Sequence, residues 1–245
     1  MNGATVTQAR AGLALAVVSA VAFGLSGPFA KALIDAGWSA GGAALVRLAG
    51  AAAVLAVVLT VQRPGVLTAI RRDGPALALY GVLAMAGVQV AFFNAVRFLP
   101  VPVALLLEYT GPVLVIVWVW MVRGQRPTRL TLAGGGVAVL GLTLVVRVWA
   151  GAALPWEGVA WALAAAVCQA SYFLMADRAD VATPPLVLAG VGMAVGATTV
   201  ALLGVVGVLP VVVSFEATGV LLAGVDVGWP MTAGLLVLVS TVVAY

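Results

Sequence analysis

Two side chains in this sequence carry charge where water is scarce. Glu108 stands in LLLEYTGPVL, residues 105 to 114, inside an apolar run from Val101 to Val122, and Arg47 stands inside the run 39–61. An unpaired charge at membrane depth costs about 2.5–3.5 kcal/mol on the insertion scale, so an ionisable residue there is a functional candidate. A carboxylate in such a place can hold an ammonium or carry a proton, and a guanidinium can hold a carboxylate. Both residues lie about 12 Å into helices that start from the same side, near residues 39 and 100, at 1.5 Å per residue. Matched depth leaves two readings open. In one, Arg47 and Glu108 form a structural ion pair, or Arg47 snorkels outward. In the other, Glu108 faces a wet cavity and binds a substrate ammonium or a coupling proton.

Neighbouring residues favour the cavity. Gly111 and Pro112 follow Glu108 at i+3 and i+4, and proline leaves the Glu108 carbonyl without its helical donor, so a break in the helix is expected there. Broken helices at mid-membrane are where carriers expose backbone groups to substrate. In the third apolar run Gly87 and Asn94 share a face, with Arg97 a turn further out. Ser19 and Ser26 share a face of the first run, and Gln169 and Tyr172 lie three apart in the sixth, beside Ser171. A serine in a membrane helix often bonds its own backbone, so none of these is specific alone. Together with Tyr109 they give four helices with polar stripes, and the candidate set is Glu108, Tyr109, Arg47, Asn94, Arg97, Gln169, Tyr172 and Ser26. Gly192 and Gly196 form a Gly-x-x-x-Gly pair, and Gly134, Gly135, Gly136 and Gly141 thin the fifth run, allowing close helix approach for packing or for sliding.

The chain has no histidine, which removes several chemistries together. GLSG at Gly24–Gly27 matches the Gly-x-Ser-Gly pattern of intramembrane rhomboid proteases, but their serine needs a histidine base. Zinc proteases of the His-Glu-x-x-His type fail for the same reason, and no phosphate-binding Gly-x-x-x-x-Gly-Lys-Ser/Thr loop occurs. Lys31, the only lysine, is at the outer end of the first run and not deep in a late helix, as a retinal protein would require. An enzyme is therefore not expected, no cofactor or metal is implied, and a lipid-modifying enzyme would lack clustered carboxylates to work with.

The elements that must position these residues are apolar throughout. Hydrophobic residues make up 64% of the 245 and charged residues 8%, against about 25% charged in a soluble domain. Eight runs approach the length needed to span a bilayer, at 11–33, 39–61, 75–97, 100–122, 130–147, 156–175, 186–209 and 230–245. The expectation is an all-α polytopic membrane protein with the lipid bilayer as its first partner. A β-barrel would alternate in short segments, and these runs are continuous. Arg10, Arg63, Arg71, Arg72, Arg123, Arg126, Arg129 and Arg178 fall on one side if the helices alternate, against Lys31, Arg97 and Arg147 on the other. That bias predicts a cytoplasmic N-terminus in the cell's inner or plasma membrane. No long basic arm exists, so a nucleic-acid partner is not expected. Cys168, the single cysteine, sits in an apolar run as a small buried residue.

The sequence also repeats. Sliding it by 146 positions lays Gly12 on Gly158, Ala20 on Ala166, Gly50 on Gly196 and Val54 on Val200, and a loop seven residues longer carries Gly81 onto Gly234 and Val90 onto Val243. The unit would be five helices, residues 1–147, followed by a second copy from 156 to 245 with three. An odd unit makes the second copy enter from the opposite side, the inverted-topology plan of many secondary transporters. Tyr245 falls on Phe92 of the first copy, so the repeat predicts about 55 further residues and two further helices, ten in all.

NAVRFLPVPVALLLEYTGPVLVIVWVW and the following LTLAGGGVAVLGLTLVV resemble the fourth and fifth helices of the EamA-type drug/metabolite transporters. Leu107, Glu108, Tyr109, Thr110, Gly111 and Pro112 are most similar to the threonine/homoserine exporter group. GLSGPFAKAL in the first helix and AALVRLAGA in the second extend the likeness. It implies a ten-helix inner-membrane carrier that exports small metabolites, amino acids such as threonine and homoserine among them, by exchange with protons. Glu108 would hold the ammonium or the proton, and Arg47 or Arg97 the carboxylate. Gly124-Gln125 stands where many relatives carry Gly-Glu, so that acid is absent here. A homodimer is compatible with the plan. The alternatives are a carrier for a metabolite other than an amino acid, and a non-transporting membrane fragment or assembly subunit whose charges serve packing.

Overall fold

The computed structural model describes residues 3–62, 65–145, 154–178, 183–215, 221–222 and 225–244. Arg63 and Arg147, which entered the count of basic residues, and Tyr245, which entered the repeat alignment, lie outside them. Among the described residues the helices are α1 (Gly3–Asp35), α2 (Ala40–Gln62), α3 (Val66–Tyr80), α4 (Val88–Phe98), α5 (Val101–Glu108), α6 (Gly111–Arg123), α7 (Arg129–Val145), α8 (Trp156–Arg178), α9 (Pro185–Val205) and α10 (Trp229–Ala244). A π-helical segment, Gly81–Gly87, joins α3 to α4. Over most of its described residues each of the eight apolar runs is helical, as it must be where lipid offers the backbone no hydrogen bonds.

Among the described residues six helical stretches are long and apolar enough to cross a membrane, including Val66–Phe98, which runs through α3, the π segment and α4, and Val101–Arg123, which runs through α5 and α6. The bundle is all-α and polytopic, with one two-residue antiparallel pairing among the described residues, Leu221–Leu222 against Val225–Asp226, ahead of α10.

Several boundaries differ from the apolar runs: α1 starts at Gly3 and not at 11, and α8 continues to Arg178 and not to 175. The third helix starts at Val66 and not at 75, taking Arg71 and Arg72 into its first turns, and it kinks at Asp73 (φ −115°, ψ 16°) just before Pro75. Proline clashes with the preceding turn, so a helix carried through it bends. The seventh run stops at Val205 and not at 209, because Gly207 adopts φ 77° and turns the chain outward before Pro210.

Long contacts pair α2 with α9, α4 with α8, and α1 with α10. The Gly-x-x-x-Gly face of α9 receives the π segment. A Cβ at Gly192 would lie 2.6 Å from the Tyr80 ring, and one at Gly81 would lie 2.8 Å from the Gly192 carbonyl oxygen. Gly134, Gly135, Gly136 and Gly141 behave differently from expectation: a Cβ at any of them meets nothing within 4 Å, so among the described residues they bring no helix closer.

The end of the bundle where α2 and α5 begin is filled by an apolar cluster that includes Trp38, Phe93, Leu99, Ala104 and Leu236. The segment after α9 lies across this end. Ser39 N donates to the Val212 carbonyl at 3.0 Å, Val212 N donates to Ser39 Oγ at 2.7 Å, and Trp38 Nε1 donates to the Ser214 carbonyl at 3.0 Å.

Candidate functional site

The fourth span is interrupted at the acid. α5 ends at Glu108 and α6 begins at Gly111, with Tyr109 and Thr110 between them in near-helical geometry, ψ 0° and −13°. The interruption is thus a tight turn. Thr110 N donates to the Leu107 carbonyl at 3.1 Å, and Thr110 Oγ1 donates to the same oxygen at 2.7 Å. Pro112 stands in the first turn of α6, a position that tolerates proline because helix N–H groups there have no acceptor within their own helix.

Gly111 lets α8 approach this turn. A Cβ there would sit 2.6 Å from Gln169 Oε1 and 3.0 Å from the Ala166 carbonyl oxygen. With the helices so close, Gln169 Nε2 donates to Glu108 Oε1 at 3.3 Å. Glu108 has no exposed surface, and its second oxygen, Oε2, has no hydrogen-bond partner.

Arg47 is 3% exposed, donates from Nη1 to Ser26 Oγ at 3.3 Å, and rests its guanidinium 5.7 Å from the centre of the Phe93 ring. Ser26 is held in turn by donating to the Phe23 carbonyl at 2.6 Å. Arg47 Nε has no partner. The two charged groups form no direct ion pair, although each feels the other's charge. The structural bridge is therefore not made, and Arg47 does not snorkel.

Both instead border one cavity of about 310 Å³. Its polar wall adds Tyr80, Gln89, Gln169, Tyr172 and Ser240, and its apolar wall includes Phe23, Met85, Leu188 and Met193. Pro185, the first residue of α9, also borders it, so the cavity reaches toward the end of the bundle opposite the Trp38 cluster.

Of the residues expected from sequence, the fold brings Arg47, Glu108, Gln169 and Tyr172 to this cavity. Ser26 stands behind Arg47 as its acceptor. The other three are elsewhere. Asn94 is buried, donates from Nδ2 to the Val90 carbonyl at 2.8 Å and accepts from Arg97 at 3.3 Å. Arg97 is exposed and lies over the Phe98 ring. Tyr109 is 46% exposed, with its ring 6.1 Å from that of Phe23.

Tyr80, Gln89, Met85, Met193 and Ser240 are wall residues that spacing did not reveal. The π segment explains part of this, since its i→i+5 pattern shifts the helical phase. Gly87 faces Cys168, with a Cβ position 3.0 Å from its Sγ, while Gln89 turns to the cavity. Gln89, an uncapped amide in an apolar run, was the available signal.

A bundle of apolar helices around an acid and a guanidinium that share a cavity is an all-α polytopic membrane protein with an internal polar site. A solved crystal structure, described only as that of a protein, shares the fold: 21% identity, TM-score 0.63, covering 95% of this chain and 77% of its own. No curated protein sequence matches. The model of the EamA-like transporter family matches residues 10–147, from α1 to the end of the fifth apolar run. The chain belongs to the EamA-like transporter family. That is a family of multi-pass membrane transporters of small metabolites and not an enzyme family.

Proposed function

We propose that this protein is a secondary active exporter of small zwitterionic metabolites, amino acids among them, driven by exchange with protons across the inner membrane, with its N-terminus in the cytoplasm. The observation that carries the reading is that Glu108 and Arg47, on separate helices, border one cavity without bonding each other and each keep a buried polar atom unpaired. A buried unpaired group costs stability unless a ligand, a proton or water completes it. An ammonium or a coupling proton completes Glu108 Oε2, and a carboxylate completes Arg47 Nε. Arg47 serves this role in preference to Arg97, which lies away from the cavity, and Gln169 and Tyr172 shape the wall. The Leu107–Pro112 motif makes threonine and homoserine the first amino acids to try.

The five-plus-five repeat draws support from the helix contacts. Exchanging the first span with the sixth, the second with the seventh and the third with the eighth turns the α1–α10 contact into the α8–α4 contact and leaves the α2–α9 contact unchanged. Two inverted copies would produce that pattern.

The test is gradient-driven efflux from vesicles carrying the wild type or Glu108→Gln. Loss of efflux with normal membrane insertion supports the reading; full efflux by the variant overturns it.

A further inference from the structure

We infer that a second groove, between the third, fourth and sixth spans, holds an acyl chain of an anionic phospholipid, with the headgroup phosphate at the arginines that follow α6. The groove has a volume of about 540 Å³ and shares no lining residue with the central cavity, so the inference does not depend on the proposed transport.

Two matched stripes build it. On α6, Leu114, Val117, Trp118 and Met121 recur at the i, i+3, i+4, i+7 spacing of one helix face, and on α8 Val167, Ala170, Ser171 and Leu174 do the same. Leu79 and Leu83 complete the wall from the third span. The Ser171 hydroxyl donates to the Val167 carbonyl at 3.0 Å, so it asks nothing of an occupant. The wall is shaped for an apolar chain.

Depth and charge say which one. From Leu114 to Arg123 α6 rises about 14 Å, close to half of a hydrocarbon core of about 30 Å. The groove thus runs through one leaflet and ends at headgroup level. There Arg123 closes α6, Arg126 follows in the loop and Arg129 opens α7, all three exposed. Asp73, the acid at this end of the third span, is already held by Arg72 at 2.7 Å and by Thr183 at 2.6 Å. Arg178 closes α8 at the same end beside Asp177 in sequence, so the excess of positive charge belongs to the segment after α6.

Lipid tails are as apolar as this wall, so burial alone would retain no particular lipid. The arginines supply the preference, since basic residues at the membrane surface attract anionic headgroups. A second copy of the chain is a poorer occupant. Across a two-fold axis along the membrane normal it would bring the same arginines face to face.

The test is native mass spectrometry of the chain purified in detergent, titrated with dioleoyl phosphatidylglycerol and with dioleoyl phosphatidylcholine, which share tails and differ in headgroup charge. The wild type should retain one phosphatidylglycerol at a concentration at least about ten-fold lower than phosphatidylcholine, the discrimination that two surface arginines provide. Arg126→Gln combined with Arg129→Gln should bring the two lipids together. Val117→Trp, at a position already 42% exposed, sets an indole into the groove and should remove the tightly held lipid. Leu130→Trp, exposed on α7 away from the groove, should leave it in place. Equal retention of the two lipids by the wild type overturns the inference, and so does phosphatidylglycerol held as tightly by Val117→Trp as by the wild type. A wild-type dimer that Val117→Trp dissociates also overturns it, by making a second copy the occupant.

Discussion

Gln169 on α8 donates from Nε2 to Oε1 of Glu108 on α5 across 3.3 Å, and the bond ties the interrupted fourth span to the sixth at the level of the cavity. The amide can reach the acid because Gly111 has no side chain to hold α8 away. A loss at either residue therefore reports on both the packing and the site.

Gln169→Leu leaves Glu108 with no hydrogen-bond partner. An orphaned buried polar group costs about 1–3 kcal/mol, more when charged. We expect a clear fall in Tm for this variant, measured in detergent, and a smaller fall for Glu108→Gln, which keeps the shape and removes the charge. Indistinguishable Tm values for wild type and Gln169→Leu would show that the bond contributes nothing.

Gly111→Ala places a Cβ 2.6 Å from Gln169 Oε1 and 3.0 Å from the Ala166 carbonyl oxygen. The side chain can swing away but the backbone carbonyl cannot, so α6 and α8 must separate. Overpacking of this kind costs about 1–3 kcal/mol. The control is Gly134→Ala, where a Cβ meets open space and the helix gains up to about 1 kcal/mol in propensity. Thermal melts should move in opposite directions.

Arg47→Met should weaken binding of a zwitterion about ten-fold or more, since a hydrogen bond to a charged group contributes about 1.5–3 kcal/mol. Binding of the corresponding amine without its carboxylate should change little. Arg97→Met, at an exposed position away from the cavity, should leave both affinities near wild type. Isothermal titration with an amino acid and its decarboxylated amine separates these outcomes, and an equal loss for both ligands would count against a carboxylate partner.

Trp38→Phe keeps the ring against Trp229 and removes the donor to the Ser214 carbonyl. One net hydrogen bond is worth about 0.5–1.5 kcal/mol. We expect faster amide hydrogen exchange at Val212, whose N–H is held by Ser39 Oγ in the same strap, and unchanged exchange in the middle of α9. No change at Val212 would show the strap to be held without the indole.

The membrane class and the helical nature of the apolar runs are legible in the sequence because both follow from the cost of leaving polar groups in lipid, a cost that each residue carries wherever it packs. Glu108 and Arg47 stand out for the same reason, and Gly111–Pro112 marks the interruption through backbone chemistry that needs no neighbour. Hydropathy cannot, however, see that α3 continues back through Arg71 and Arg72, since a helix whose first turns project from the apolar layer keeps its charges.

Tertiary structure decided which faces meet. Asn94 and Gln89 are both amides in the third span, yet Asn94 bonds Val90 and Arg97 while Gln89 borders the cavity, because five residues of α4 set them about 140° apart round the helix and only the packing decides which of those faces meets the cavity. Tyr80, Met85 and Met193 carry no charge and so no cost that a single chain position would reveal. By itself the sequence determined that the chain spans a membrane and that an acid and a guanidinium lie within it. Only the packing of helix on helix decided that the two stand apart across a shared, largely apolar cavity, because a wall is a property of several surfaces held together and no one of them contains it.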